Sequence, residues 1–408
     1  MAQRLDEALR ADGKLLALAQ IDRRTGRLGA ESPVVADLAG AGTDVVAVSR
    51  KAELIDVNRR ELLRTLSMTG AALAIYPAAD NLDWERLDNF VGRHATPDAD
   101  ALEGLAALNE HLWRVFVLSR SKNVLLPLVR DQLDVLTDGF RRASSAASYH
   151  RLCELASSLY QLAGEILFDT NQYTDAAQCY TLAATAAREA ETPDLWACAL
   201  TRHAFIGVYE QEFGKAASML ELATAIARRG DSTLATRHWV AIVQAQALAG
   251  LGDLAACQRA LDAAGQVDSL GEGSQNGGWL RFDTSRLAEE RAACYVRLQR
   301  PDLADSALAD ALRVSLSARR RASVLADLAA IGAQRGELDQ IVAHADAAME
   351  LFQQTGSGVV ARKLSSLQRY LTPLMNDTTI RDLSSRIAAI SGSSVAVYQR
   401  RRNTCVTR

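Results

Sequence analysis

The residues most able to do chemistry are spread along this chain without assembling a reactive centre. Its six histidines, His94, His111, His150, His203, His238 and His344, stand apart. None belongs to an HExxH motif or a paired spacing with acids, which is how one helix face offers two imidazoles to a metal. There is no GxxxxGK phosphate loop, no GxGxxG opening a helix and no GxSxG nucleophile elbow. Catalytic, cofactor-binding and metal-ligating residues are therefore expected to be none. The polar side chains that remain suit recognition instead. Gln161, Glu165, Thr201, Arg202, Phe205, His238, Gln246, Arg286 and Glu289 recur at comparable places along the middle of the sequence. Amides, arginines and aromatics in such a series suit an extended peptide, whose backbone needs donors and acceptors at regular spacing.

The elements that must position them are legible in one stretch, Tyr160 to Ala183. Tyr160, Ala163, Gly164 and Leu167 fall at i, i+3, i+4 and i+7, one face of a helix. A polar break over Asp169 to Gln172 ends it. Ala176, Tyr180 and Ala183 then mark a second helix. Small residues at Gly164 and Ala176 permit close approach, while Tyr160 and Tyr180 fill the space around the contact. This order of large and small residues resembles a tetratricopeptide hairpin.

The same signature returns four more times. The second helices carry Ala216, Leu220 and Ala223; Cys257, Leu261 and Ala264; Ala304, Leu308 and Ala311; and, most loosely, Ile341, Ala345 and Ala348. Twelve positions before each anchor stands a small residue: Gly164, Ala204, Ala245, Ala292 or Ala329. The intervals exceed the roughly 34 residues of a standard repeat. The surplus lies between units, in ETPD and SLGEGSQNGG, whereas the turns inside units stay short: NQY, QEFG, LGD, RPD and RGE. On this repeat the concave groove is lined by first-helix positions: Ser158, Gln161 and Glu165; Thr201, Phe205 and Val208 with Arg202 beside them; Trp239, Ile242 and Gln246 with His238 adjacent; then Arg286, Glu289 and Ala293. Leu105–Leu118 and Leu125–Phe140 predict an atypical leading pair, as a capping repeat should be. Val359–Met375 and Thr379–Ile390 predict two closing helices. Arg319, Arg320 and Arg321 open the first helix of the fifth unit, where they fan over about 200° and read as a solvated turn.

Outside the array the pattern weakens. Residues 2–20 read as a helix, Thr25–Ala47 lack sustained period, Arg59–Ile75 follow a cap at Asn58, and Asp83–Gly92 form a short amphipathic segment. The expected organisation is an N-terminal helical or irregular region over 1–100, a repeat domain over 101–390 and a basic tail over 391–408. Arg59 and Arg60 before an apolar run resemble a twin-arginine signal but lie far into the chain. Cys405 stands where a prenylation cysteine would, but the terminal Arg408 does not fit that motif.

Composition agrees with helices. The 408 residues are alanine- and leucine-rich, with seven prolines, 5% aromatics and a net charge of −3. That charge argues against nucleic acid as the main partner of the whole chain. Cys153, Cys179, Cys198, Cys257 and Cys294 sit inside apolar helical patterns, which suits reduced thiols and a cytoplasmic protein. No run is long and apolar enough to span a bilayer.

From WLRFDTSRLAEERAACYVRLQRPDLADSALADAL through SARRRASVLADLAAIGAQRGELDQIVAHADAAMELFQQTGSGVVARKLSSLQRYLTP, the chain resembles the tetratricopeptide-repeat sensory region of actinobacterial Xre-type helix-turn-helix transcriptional regulators. The resemblance covers roughly 100–375, and NRRELLRTLSMTGAALA resembles the segment that precedes the repeats there. Residues 1–57 show no convincing helix-turn-helix, so DNA binding does not carry over. The architecture is also similar to the peptide-pheromone receptors of Gram-positive bacteria, which implies a peptide or protein ligand and a homodimer. The expectation is an all-α, right-handed helical solenoid, neither an enzyme nor a membrane protein, that binds a peptide or protein in transcriptional or developmental control. Two other readings stay open: a DNA-binding regulator with a divergent N-terminal domain, and an adaptor that sequesters a response regulator or sigma factor.

Overall fold

A computed structural model describes residues 98–119, 122–270, 278–280, 282, 284–313 and 315–390. The helices expected at 2–20, 59–75 and 83–92, the tail from 391 and Cys405 lie outside the described residues. Within them all regular structure is helical, with no strand, and the chain carries the tetratricopeptide-like repeat fold.

Two helices lead: α1, Ala99–Leu118, and α2, Leu126–Arg142. Five hairpins follow. They pair α3 (Ala146–Asp169) with α4 (Tyr173–Glu189), α5 (Pro193–Tyr209) with α6 (Phe213–Ala227), and α7 (Thr236–Gly250) with α8 (Leu254–Gly265). The last two pair α9 (Thr284–Arg297) with α10 (Pro301–Leu312), and α11 (Ala318–Arg335) with α12 (Leu338–Thr355). The array ends with α13, Gly358–Leu371, and α14, residues 378–390.

The small-large-small pattern builds each hairpin. Ala176, Tyr180 and Ala183 are buried, as are the corresponding triplets of α6, α8, α10 and α12. Their partners Gly164, Ala204, Ala245, Ala292 and Ala329 are buried opposite them on α3, α5, α7, α9 and α11. At Gly164 the contact admits no side chain: a Cβ there would lie 2.3 Å from the Tyr180 ring.

The five turns are built alike. Asn171, Gln211, Gly252, Gln299 and Gly336 each adopt a left-handed backbone, with φ between 54° and 79°. In each, that residue's N–H donates three positions back and the next N–H donates five back, as in Asn171 to the Phe168 carbonyl and Gln172 to that of Leu167. This is the Schellman closure, which satisfies carbonyls left over at the helix end and turns the chain sharply. Only two of the five positions hold glycine, the residue best suited to that conformation.

The core runs lengthwise rather than gathering at one centre. One apolar cluster is built on α1–α4 and takes in residues of α5 and α13, a second runs over α5–α8 into α9, and a third over α9–α14. Phe205 and Trp279 pack against the first two, and Tyr295 against the second and third. Each unit thus buries its face against its neighbours, as a repeat array must.

The row of first helices curves until α13 returns to α3. The Ser357 hydroxyl donates to Asp169 Oδ1 at 2.8 Å, and Arg319 lies 3.1 Å from the same oxygen. Arg362 stacks 4.9 Å from the Tyr173 ring and donates to its hydroxyl at 3.4 Å. Gly358 sits so close that an added Cβ would fall 2.5 Å from the Asp169 carbonyl oxygen.

Candidate functional site

Because the first helices turn inward and close, they enclose a cavity of about 610 Å³. Its wall takes residues from the end of α1 and from α3, α5, α7, α9, α11 and α13. Of the second helices α4, α6, α8, α10 and α12, only Phe213 and Thr355, at helix ends, reach it.

One side of the wall is aromatic. Phe168, Phe205 and Tyr209 form a cluster with ring centroids 5.0–5.8 Å apart, in tilted and edge-on arrangements that suit ring quadrupoles. Trp239 is nearby, with Arg202 stacked 4.7 Å from its ring. Burial pushes the Tyr209 hydroxyl well above its ordinary pKa, so it stays a neutral hydrogen-bonding group.

The remainder of the wall is charged. It carries nine cations, Lys122, Arg202, Arg286, Arg297, Arg319, Arg320, Arg362, Lys363 and Arg369, against five carboxylates, Glu165, Asp169, Glu289, Glu290 and Asp327. Four carboxylates are engaged by cations. Glu165 lies 3.3 Å from Arg202, Asp169 3.1 Å from Arg319, and Asp327 2.5 Å from Lys363; Glu289 accepts from Arg320 Nε at 2.7 Å. Glu290 accepts from Gln246 Nε2 at 2.6 Å. Burial raises the Glu290 carboxyl above the usual carboxylate range, Arg286 opposing it, and raises Asp327 against the pull of Lys363.

Six of the nine expected groove residues line this cavity: Glu165, Arg202, Phe205, Gln246, Arg286 and Glu289. Gln161, Thr201 and His238 do not. Gln161 is fully buried, donating to the Leu195 carbonyl at 3.2 Å and accepting from Arg202 Nη1 at 2.5 Å. Thr201 is fully buried and bonds back to the Ala197 carbonyl at 2.7 Å. His238 faces the other helix of its hairpin, with Nδ1 3.0 Å from the Ala263 carbonyl. Ser158, another groove position from the sequence, is buried and accepts from the Trp113 indole N–H at 3.0 Å. Arg202 faces the cavity yet is only 4% exposed, held between Trp113 and Trp239 and donating to Gln161. It ties three units together more than it offers itself to a ligand.

Half of the site is not recoverable from the repeat pattern. Arg319 and Arg320 face the cavity, not a solvated turn, because α11 starts opposite Asp169 and Glu289; Arg321 points to solvent. Arg362 and Arg369 lie on α13, a closing helix in the sequence reading, and enter the site only because the array closes. Their spacing of seven, which places both on one helix face, was the available signal.

Among the described residues no group of His, Cys, Asp or Glu is arranged to hold a metal ion, and no helix is long and apolar enough to cross a membrane. Cys153, Cys179, Cys198, Cys257 and Cys294 are free and buried. Burial pushes the Cys153 thiol up to about 11 and the Cys198 thiol up to about 12, which makes both poor nucleophiles.

No protein-family model matches the chain, and none of the curated proteins matches it. Among solved structures it is similar to that of a Rap protein complexed with Competence and Sporulation Factor. That likeness covers 88% of this chain and 98% of the other at 14% sequence identity, with a TM-score of 0.45. At that level it bears on neither ligand nor activity.

Proposed function

We propose that this chain is a regulatory binding protein that holds a short peptide, or an extended segment of a protein partner, inside its closed row of first helices, in transcriptional or developmental control. The observation that carries this reading is the cavity itself. Its size falls within the roughly 300–1,000 Å³ of small-ligand sites. It is faced by one helix from every repeat and combines an aromatic side with guanidinium, amide and hydroxyl groups. An extended peptide satisfies such a wall in a way a compact apolar ligand does not, because each of its residues brings one donor and one acceptor.

The test is capture followed by obstruction. Full-length protein purified from its own cells is denatured, and the peptides released are identified by mass spectrometry. The capture is then repeated with Ala293→Trp, which places an indole in the cavity from a half-buried position on α9. The expected result is a defined peptide released from the wild type and lost from the variant, with the helical circular dichroism signal unchanged. If the variant keeps its fold and captures the same peptide, the cavity is not the site.

A further inference from the structure

Four arginines on the cavity wall stand apart from the ion pairs described above. Arg286, Arg297, Arg362 and Arg369 line the space, yet none has a carboxylate of the described residues within ion-pairing distance. Arg286 acts on Glu290 through space, and the contacts of the other three are to neutral groups. Arg297 donates to the Gln246 carbonyl at 3.3 Å and stacks 5.0 Å from Phe213. Arg362 meets the Tyr173 ring and hydroxyl. Arg369 donates to the Tyr370 hydroxyl at 2.6 Å, and that hydroxyl donates to the Val296 carbonyl at 3.3 Å. This relay through Tyr370 brings the Arg369 and Arg297 guanidiniums to the same end of the cavity, between α13 and α9. Arg297 and Arg369 repel across a partly desolvated space; burial first, and Arg369 among the neighbouring cations, lowers the Arg297 pKa. The whole chain, by contrast, carries a net charge of −3. The excess of positive charge is local to the cavity.

We infer that the cavity selects an anionic peptide, one whose carboxylates, from acidic side chains or the free C-terminus, are received by Arg297 and Arg369 at one end and by Arg286 and Arg362 along the wall. This rests on the reading of the cavity as a peptide site. Guanidinium forks match carboxylates in two-point geometry, and the bonds strengthen where water is excluded. The carboxylates already present cannot serve, since four are committed to other cations and Glu290 to the Gln246 amide. The aromatic side formed by Phe168, Phe205 and Tyr209 would take the ligand's apolar residues, which makes the expected ligand mixed: acidic at one end and apolar beside it.

The experiment uses fluorescein-labelled pentapeptides of Ala, Leu and Tyr carrying no, one or two Glu, each made as the free acid and as the C-terminal amide. Binding to the full chain is followed by fluorescence polarisation. The expected result is about tenfold tighter binding for each carboxylate placed at an arginine, the effect of one charge-assisted hydrogen bond, with the advantage shrinking as salt is raised. Arg369→Gln, at an exposed position bonded to Tyr370, should erase most of that advantage without changing the melting curve; Arg297→Gln should erase it as well, with a lowered melting temperature from the lost Gln246 and Phe213 contacts. Comparing acid with amide distinguishes a C-terminal carboxylate from a side-chain one. Equal affinity of charged and neutral peptides overturns the inference while leaving the peptide reading intact. Binding of none of them overturns both.

Discussion

The two rows of helices differ in what their sequences are for. The outer row, α4, α6, α8, α10 and α12, repeats one apolar motif five times and contributes almost nothing to the cavity wall. The inner row, from α3 to α13, carries the same small residues on the face that meets the outer row and unrelated polar residues on the face that meets the cavity. Stacking needs sameness, because every unit must fit its neighbour; recognition needs difference, because each part of a ligand is distinct. Substitutions should therefore weigh most where the rows meet, less where the inner row closes, and least at the turns joining them.

Gly164 lies where the rows meet. A valine there would drive Cβ into the Tyr180 ring, which is 1% exposed and has no room to retreat. Overpacking of a dense core costs about 1–3 kcal/mol, and this site should reach the upper end. Gly164→Val is expected to lower the unfolding free energy by that amount in urea titration, moving the midpoint down, with a wild-type-like spectrum in water. An unchanged midpoint would mean the hairpins are not rigidly packed and would remove the basis of the contrast between rows.

Gly358 lies where the inner row closes on itself. Its contact with the Asp169 backbone is nearly as close as that of Gly164 with Tyr180, yet the surroundings are polar: Ser357, Asp169, Arg319 and Arg362. Gly358→Ala should force α13 away from α3 at a cost nearer about 1 kcal/mol, since the polar groups released regain water. The expected signature is faster amide hydrogen exchange in α13 than in α3–α12 and a larger radius of gyration in solution scattering. Exchange that rises equally throughout would show that closure and stacking are one cooperative event.

On the cavity face, Glu290→Gln tests whether recognition costs stability. The folded carboxyl titrates above its unfolded value because burial disfavours the charge. The native state thus holds that proton more readily, and wild-type stability falls as pH rises from the unfolded carboxyl's value through the folded one. The amide can still accept from Gln246 and carries no charge. The variant should gain less than about 1 kcal/mol near neutral pH, the difference vanishing once the medium is acidic enough to protonate Glu290 in both states. A gain that persists at acidic pH would place its cause outside the charge.

These differences also explain how much of the molecule could be read in advance. All five hairpins, their partners twelve positions upstream and their short turns were legible because stacking writes the same residues at the same intervals. The groove was half legible. Counting along the repeat reached Glu165, Phe205, Gln246, Arg286 and Glu289, but also Gln161, which bonds to the neighbouring α5, and Thr201, which is fully buried and bonds back to its own helix. A helix face is wider than the cavity it borders, so periodicity alone cannot separate wall from junction. Arg297 continues the α9 face of Arg286, Glu290 and Ala293, whereas Arg362 and Arg369 were beyond reach for another reason. They enter the site through contacts such as Ser357 with Asp169, 188 positions apart, and no local spacing encodes the closure of an array.

The smallest effect is expected at the turns, where the rows are joined but not packed. Gln211 holds a left-handed backbone, φ 63°, at the α5–α6 turn, although the equivalent positions at the α7–α8 and α11–α12 turns are Gly252 and Gly336. A side chain in that region clashes with its own carbonyl, at a cost of about 1 kcal/mol or slightly more. Glycine would relieve it but adds freedom to the unfolded chain, so the two changes partly cancel. Gln211→Gly should stabilise by about 0.5 kcal/mol in urea titration, with Gly252→Ala destabilising by about 1 kcal/mol in the mirror experiment. Gln211 also lines the cavity, so peptide affinity distinguishes two roles. If Gln211→Gly weakens binding as it strengthens the fold, glutamine stands at that turn for the ligand. If affinity is unchanged, the turns belong with the outer row, and only the inner faces of the first helices carry recognition.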